Sequence, residues 1–480
     1  MNDGLWSPAR RQLTIGLVLT VTLVAFEALA ISTVMPIVKD DIGGLDLYGW
    51  VFSAFFLGSL LGIVVVGGQL DQGGLVRPYA IGLGLFGAGL LIGGFAPSMP
   101  VLIAGRFLQG LGAGATPPIA YVAIGRSLPE SLRPQMFATL STAWVLPGLV
   151  GPAIASLVGE HVTWRAVFLG LVPLIAIAAT LTIPALRTVR PADPAESERE
   201  HEIALASGRR LPKAVRVAAG AGVLLAGLTI ADPVQLGGLT IPAEATTVAL
   251  VVAGLVLAVP AFRALTPAGT LVAAAGLPSA ILLRGLMTFM FFAPDAYVPL
   301  ALETWRGAGT LAGGLALTAA TLTWTAGSWV QARFVTRYGI RTFVGIGFLV
   351  TLAGIALFGV SLVPAVPIPL AILAWAVAGI GMGLGYAPIS LAVLRDAAPE
   401  AQGSATSALQ LSDVLGTALG TGLAGAIVAA GARAGVQTGL SLGIAFGVAL
   451  LVGVVGLAVT RQLRDARVQP ARANVHPKAA

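Results

Sequence analysis

Apolar residues run along this chain in stretches of roughly 20, the length a helix needs to cross a bilayer core. The stretches fall at about 13–36, 48–70, 78–97, 99–124, 135–158, 164–186, 214–231, 246–264, 278–301, 308–331, 342–362, 367–392, 403–430 and 438–460, with short polar gaps between them. Barrel strands would be shorter and would alternate, so the pattern predicts an all-α polytopic membrane protein of 14 spans. The first run follows Arg10 and Arg11, is too long for a signal-peptide core and lacks a small-residue cleavage site, which predicts a retained first span.

One polar interval is long. Arg187 to Lys213 (RTVRPADPAESEREHEIALASGRRLPK) has the mixed charge and Pro/Ser content of a linker. It divides the chain into a first six-helix bundle (1–186), the linker (187–213), two extra spans (214–277), a second six-helix bundle (278–462) and a tail (463–480). The second block echoes the first. Glu27 and Asp295, each an acid in the first span of its block, are 268 apart, and Arg106 and Trp375, each ahead of a Gly-rich run, are 269 apart. Pro129 and Pro399, each followed by Glu, are 270 apart in matching loops. A near-constant offset is the mark of an internal repeat, and parallel repeats of six spans build one large transporter architecture with its substrate site between the halves.

Charge then orients the pattern. Of 28 Lys and Arg, 22 lie on the side shared by both termini, four on the other (Lys39, Arg165, Arg306, Arg433) and two inside helices (Arg106, Arg284). This positive-inside bias predicts cytoplasmic termini, an even span number and a bacterial inner-membrane location. A mean hydropathy of +0.91 with 10% charged residues excludes a water-soluble globule. The net charge of +7 sits in cytoplasmic loops and tails, where it meets anionic lipid, so no nucleic-acid partner is expected. With no cysteine and three loop histidines (His161, His201, His476), neither disulfides nor a metal centre is expected. No P-loop and no soluble ATPase-sized segment is apparent, so no cofactor is expected and an ion gradient is the energy source.

Four segments carry a family resemblance. IAGRFLQGLGAGATPP (Ile103–Pro118) in span 4 resembles the R-x-x-Q-G-x-G-x-G motif of the major facilitator superfamily. PGLVGPAIAS (Pro147–Ser156) in span 5 resembles the antiporter motif of its proton-coupled drug exporters, with Ala155 and Ser156 where glycines are usual. FEALAISTVMP (Phe26–Pro36) places an acid nine residues before a proline, as in the drug:proton antiporter branches, and six plus two plus six spans resembles the 14-span branch. GGQLDQGGLVR (Gly67–Arg77) keeps Asp71 and glycines of the loop signature, but Gln72 stands where that signature has Arg, and Arg77 is displaced.

Ionisable groups inside a bilayer are costly, so those retained are functional candidates. Glu27, Asp295 and Asp413 are candidate proton-coupling acids, because a carboxyl in an apolar cavity can bind a proton from one side and release it to the other. For Glu27 the alternative is a structural partner of Arg106; for Asp413 it is a hydrogen bond in helix packing. Arg106 stays charged, so its role is electrostatic, either tuning the acid or bracing the bundle. Arg284 is expected to snorkel to the cytoplasmic interface. Trp50, Phe55, Trp144, Phe289, Phe291, Phe292 and Tyr297, with neutral Tyr386 and Gln410, are candidate cavity residues for apolar and cationic ligands. Gly67, Asp71, Arg77, Gly110, Gly112, Gly148, Gly151 and Pro152 form the conformational motifs, where small residues let helices pack closely and a proline permits a kink.

The expected activity is proton-coupled export of amphiphilic or cationic small molecules by a monomer surrounded by lipid. Import of a nutrient, or movement of a lipid-like or anionic metabolite, is the alternative within transport. A membrane enzyme would show a clustered set such as H-E-x-x-H or G-x-S-x-G, and a receptor a sizeable signalling domain; neither is present.

Overall fold

The computed structural model describes residues 4–8, 10–69, 75–129, 132, 136, 139–140, 143–187, 194–236, 239–398 and 402–464. The first six helices are α1 (Arg11–Ile42), α2 (Tyr48–Gln69), α3 (Val76–Gly94), α4 (Met99–Ser127), α5 (Val145–His161) and α6 (Trp164–Arg187). Two follow, α7 (Pro194–Thr229) and α8 (Ala243–Leu265). The last six are α9 (Leu277–Asp295), α10 (Thr310–Tyr338), α11 (Ile340–Val360), α12 (Ile368–Asp396), α13 (Gln402–Arg433) and α14 (Thr438–Val459). Among the described residues, 11 helices are long and apolar enough to cross a membrane.

Packing reproduces the sequence repeat. In the first six, α4 packs on α2 and α3, and α1 on α5 and α6; in the last six, α12 packs on α10 and α11, and α9 on α13 and α14. Each partnership recurs with the label advanced by eight. Glycine makes the tightest of these contacts possible: a Cβ on Gly110 would overlap the Phe55 carbonyl, and one on Gly112 the Gly82 carbonyl. The repeat extends to Gly379 and Gly383 of α12, whose Cβ atoms would overlap backbone carbonyls of Ala320 and Trp324 on α10.

The halves meet along two seams, α2 against α13 and α5 against α10. At the α5/α10 seam Gly148 lies against Thr321, and Gly314 against the Pro152 carbonyl. The α2/α13 seam closes at the start of α2 and toward the end of α13, where Gly49 faces Gly425 and Tyr48 lies 5.2 Å from Tyr297, centroid to centroid. Ser53 donates to the Ala418 carbonyl at 2.8 Å, and Tyr297 to the Thr421 carbonyl at 3.2 Å. α7 packs on both α2 and α13, so the extra pair covers this seam.

Three local expectations change. Residues 194–213, expected as linker, are helical and continuous with span 7: Pro194 opens the helix, and an Ala-, Glu-, Arg- and Leu-rich sequence carries it inward. Between α7 and α8 an antiparallel pair, β1 (Val234–Leu236) with β2 (Leu239–Ile241), stands where only a loop was expected. Arg284 does not snorkel; it is 2% exposed, because Ser390 and Tyr386 of α12 give its guanidinium partners inside the bundle.

Candidate functional site

Glu27 and Arg106 are brought together by α1 and α4. Arg106 Nη1 donates to Glu27 Oε1 and, at 3.0 Å, to Gln109 Oε1; its Nε donates to the Val51 carbonyl at 3.1 Å, and the guanidinium stacks 4.4 Å over the Phe55 ring. The two charged side chains are 1% and 3% exposed. Glu27 Oε2 has no hydrogen-bond partner, so the pair rests on the Arg106 contact, and removing either charge strands the other in low dielectric.

At the equivalent place in the second half, α9 and α12 bring Asp295 to Trp375. The indole Nε1 donates to Asp295 Oδ1 at 2.9 Å. Among the described residues no cation pairs with this carboxyl. Pro294 lies in the last turn of α9, the chain then passes through Ala296 and Tyr297, and a π-helical turn follows at Ala301–Trp305, so Asp295 sits at a real break in the helix.

The third acid stands between these two extremes. Tyr386 OH donates to Asp413 Oδ2 at 3.0 Å, while Arg284 Nε lies 4.0 Å from Asp413 Oδ1, beyond hydrogen-bond reach. Arg284 Nη2 donates to Ser390, and its guanidinium stacks 3.6 Å over the Tyr386 ring. Asp413 is 18% exposed. Asp413 Oδ1 and Arg284 Nε and Nη1 have no hydrogen-bond partner.

An unbroken series of rings joins the second and third acids. Trp375 stacks on Phe291 (5.2 Å, 18°), Phe291 meets Trp324 edge-on at 5.7 Å, and Trp324 meets Tyr386 at 5.3 Å; Phe292 leans on Trp324 at 6.3 Å. Trp324 occupies the stripe of α10 that is otherwise buried (Leu317, Ala320, Gly327, Gln331), yet is itself only half-buried. Its accessible face therefore opens between helices, not to lipid. Sequence reasoning missed Trp324 and Ser390. It had used Trp375 only as a marker of the repeat, although the repeat contained the signal: if Glu27 meets Arg106, its counterpart Asp295 meets Trp375.

The remaining candidates separate. Phe291 and Tyr297 are buried, Tyr297 within the seam closure; Phe289 is half-buried beside α13. Phe55 is buried beneath Arg106. Trp50 turns toward the extra pair, its Nε1 donating to Thr229 Oγ1 at 3.4 Å, and Gln410 lines a cleft beside α7. Trp144 precedes α5 and is 46% exposed. Gly151 faces the Phe26 ring. Gly67 is in the last turn of α2 and Arg77 is exposed in the first turn of α3; Asp71 lies outside the described residues. Among the described residues no cluster of His, Cys, Asp and Glu could hold a metal ion.

The family model described as Major Facilitator Superfamily matches residues 17–348. A probable multidrug-efflux transporter of Mycobacterium tuberculosis is 28% identical over 397 residues, 80% of this chain and 79% of that protein. Multidrug resistance protein 3 of Bacillus subtilis is 29% identical over 164 residues, 34% of this chain and 32% of that protein. The crystal structure of an auto-inhibited POT family peptide transporter is similar with a TM-score of 0.65, covering 96% of this chain and 99% of that one at 16% identity. At that identity the likeness is one of fold.

Proposed function

This chain belongs to the Major Facilitator Superfamily, and from that premise we propose that it exports amphiphilic or cationic small molecules in exchange for protons, by alternating access. It crosses a bacterial inner membrane 14 times with both termini in the cytoplasm, as two six-helix bundles (1–186 and 278–462) joined by the linker region and the extra pair. The seam closure at Tyr48, Tyr297 and Thr421 then lies on the outer side, and the state described is closed to the outside.

The aromatic series between Asp295 and Asp413 carries this reading. Rings offer dispersion and cation–π attraction to varied ligands, and a carboxylate at each end offers a charge for a cation or a proton to neutralise. Asp295 takes the leading place that sequence gave Glu27. Protonating Asp295 strands no buried cation, whereas protonating Glu27 leaves Arg106 unpaired. Glu27 and Arg106 act together as the coupling element of the first half. The mycobacterial and Bacillus relatives, both described as multidrug proteins, support the cargo class.

One observation favours a second cargo. The unpartnered Arg284 Nε and Nη1 suit an anionic or zwitterionic metabolite. Proteoliposomes under an imposed pH gradient separate the two readings. Proton movement triggered by amphiphilic cations and lost in Asp295→Asn supports the exporter; movement triggered only by anions or zwitterions and lost in Arg284→Gln supports the second; cation-triggered movement unchanged in both Asp295→Asn and Glu27→Gln removes the acid assignment.

A further inference from the structure

A small, partly open cleft lies where α2, α13 and the extra pair meet, away from the three acid centres. Leu60 and Val64 of α2, Leu265 of α8 and Leu411 of α13 make its apolar walls, while Arg210 of α7 and Gln410 of α13 add polar groups. Toward the membrane centre the same helices close into one buried cluster containing Leu57, Leu60, Val217, Phe262 and Leu411, so the cleft has an apolar floor.

Its depth in the membrane follows from the chain. α2 ends at Gln69 and α8 at Leu265, α13 starts at Gln402, and Arg210 precedes the apolar run 214–231 of α7. The cleft therefore lies near these helix ends, on the side that the proposed topology gives to the termini and close to the depth of lipid headgroups. Arg210 is half-buried there and forms no ion pair or hydrogen bond with another described residue. A guanidinium with no partner among the described residues, beside an apolar cleft near the ends of membrane helices, matches an anionic lipid.

We infer that this cleft holds one anionic phospholipid of the leaflet on the side of the termini, its phosphate on Arg210 and its upper acyl carbons against Leu60, Val64, Leu265 and Leu411. Cationic cargo is repelled by Arg210, so the cleft is separate from the cargo path. Its walls come from both halves and from the extra pair. An occupant therefore spans the α2/α13 seam and ties the pair to the rest of the molecule. The orientation of the leaflet rests on the topology proposed above; the site itself does not rest on export.

Binding tests it without any transport step, so failure here and failure of the exporter reading are distinguishable. Purified full-length protein in neutral detergent is equilibrated with equal amounts of dioleoylphosphatidylglycerol and dioleoylphosphatidylcholine, and retained lipid is counted by native mass spectrometry. One phosphatidylglycerol is retained in preference to phosphatidylcholine by about five-fold, the effect of one arginine near an anionic headgroup. Arg210→Gln brings the ratio close to one, whereas Arg263→Gln, on an exposed face of α8, leaves it unchanged. Val64→Trp fills the cleft and removes the retained lipid without altering charge. Equal retention of both lipids by the unaltered protein overturns the inference, as does a preference that survives Arg210→Gln or Val64→Trp.

Discussion

In the first half of the molecule the carboxylate of Glu27 is locked against Arg106, whereas at the equivalent place in the second half Asp295 meets only the indole N–H of Trp375. The helices, their pairings and glycines at their contacts are repeated; the partner of the acid is not. An arginine makes a dry ion pair whose members need each other. A tryptophan makes a neutral contact that leaves the acid able to change its charge, and its ring adds a surface along which a ligand can lie. An arginine at one position of the repeat and a tryptophan at its counterpart thus give the two acids different surroundings.

Stability gives the largest break in this symmetry. Arg106→Met leaves Glu27 buried without a cation and lowers stability by about 3–5 kcal/mol, read as thermal unfolding in detergent. The double variant Glu27→Gln with Arg106→Met recovers most of that loss, because neither half of the pair is then stranded. In contrast, Asp295→Asn keeps a carbonyl for Trp375 to donate to and unfolds within about 1 kcal/mol of the unaltered protein, while its cation-triggered proton movement falls to background. If both single variants lost stability equally, the distinction between a locked and an open acid would be gone.

Smaller effects sharpen the account of the second half. Trp324→Ala weakens binding of a fluorescent aromatic cation by roughly 1–2 kcal/mol, measured by titration with the purified protein, and Trp324→Phe recovers part of it. Tyr386→Phe keeps the ring under Arg284 but removes the 3.0 Å hydrogen bond to Asp413, costing about 1 kcal/mol in the same titration. Matching truncation of Phe55, buried beneath Arg106, changes ligand binding less than stability.

Much of the fold was legible because lipid makes strong demands on sequence. Long apolar runs located most of the helices, and the 268- and 269-residue offsets marked an internal repeat that the helix packing also shows. The stretch 194–213 gave no warning of its helix because its charges drew attention to a linker, although its Ala, Glu and Leu content favours helix. Site residues were harder. Arg284 was placed at the interface because a cation beside a helix end usually reaches water; only the three-dimensional arrangement reveals Ser390 and the Tyr386 ring waiting inside. Trp324 carried no charge and broke no pattern, so nothing along the chain distinguished it from a tryptophan facing lipid.

The arrangement of partners has a consequence for motion. Glu27 finds Arg106 on α4, and Asp295 finds Trp375 on α12, so each acid and its companion belong to the same half. Between the halves stand glycines, the Ser53 hydrogen bonds to Ala418 and Thr421, and the Tyr48–Tyr297 ring contact, none of them an ion pair and each of small individual strength. In the alternating access proposed above, each acid would therefore travel with its companion inside one body, and the boundary that slips would be the part of the molecule with the least to lose.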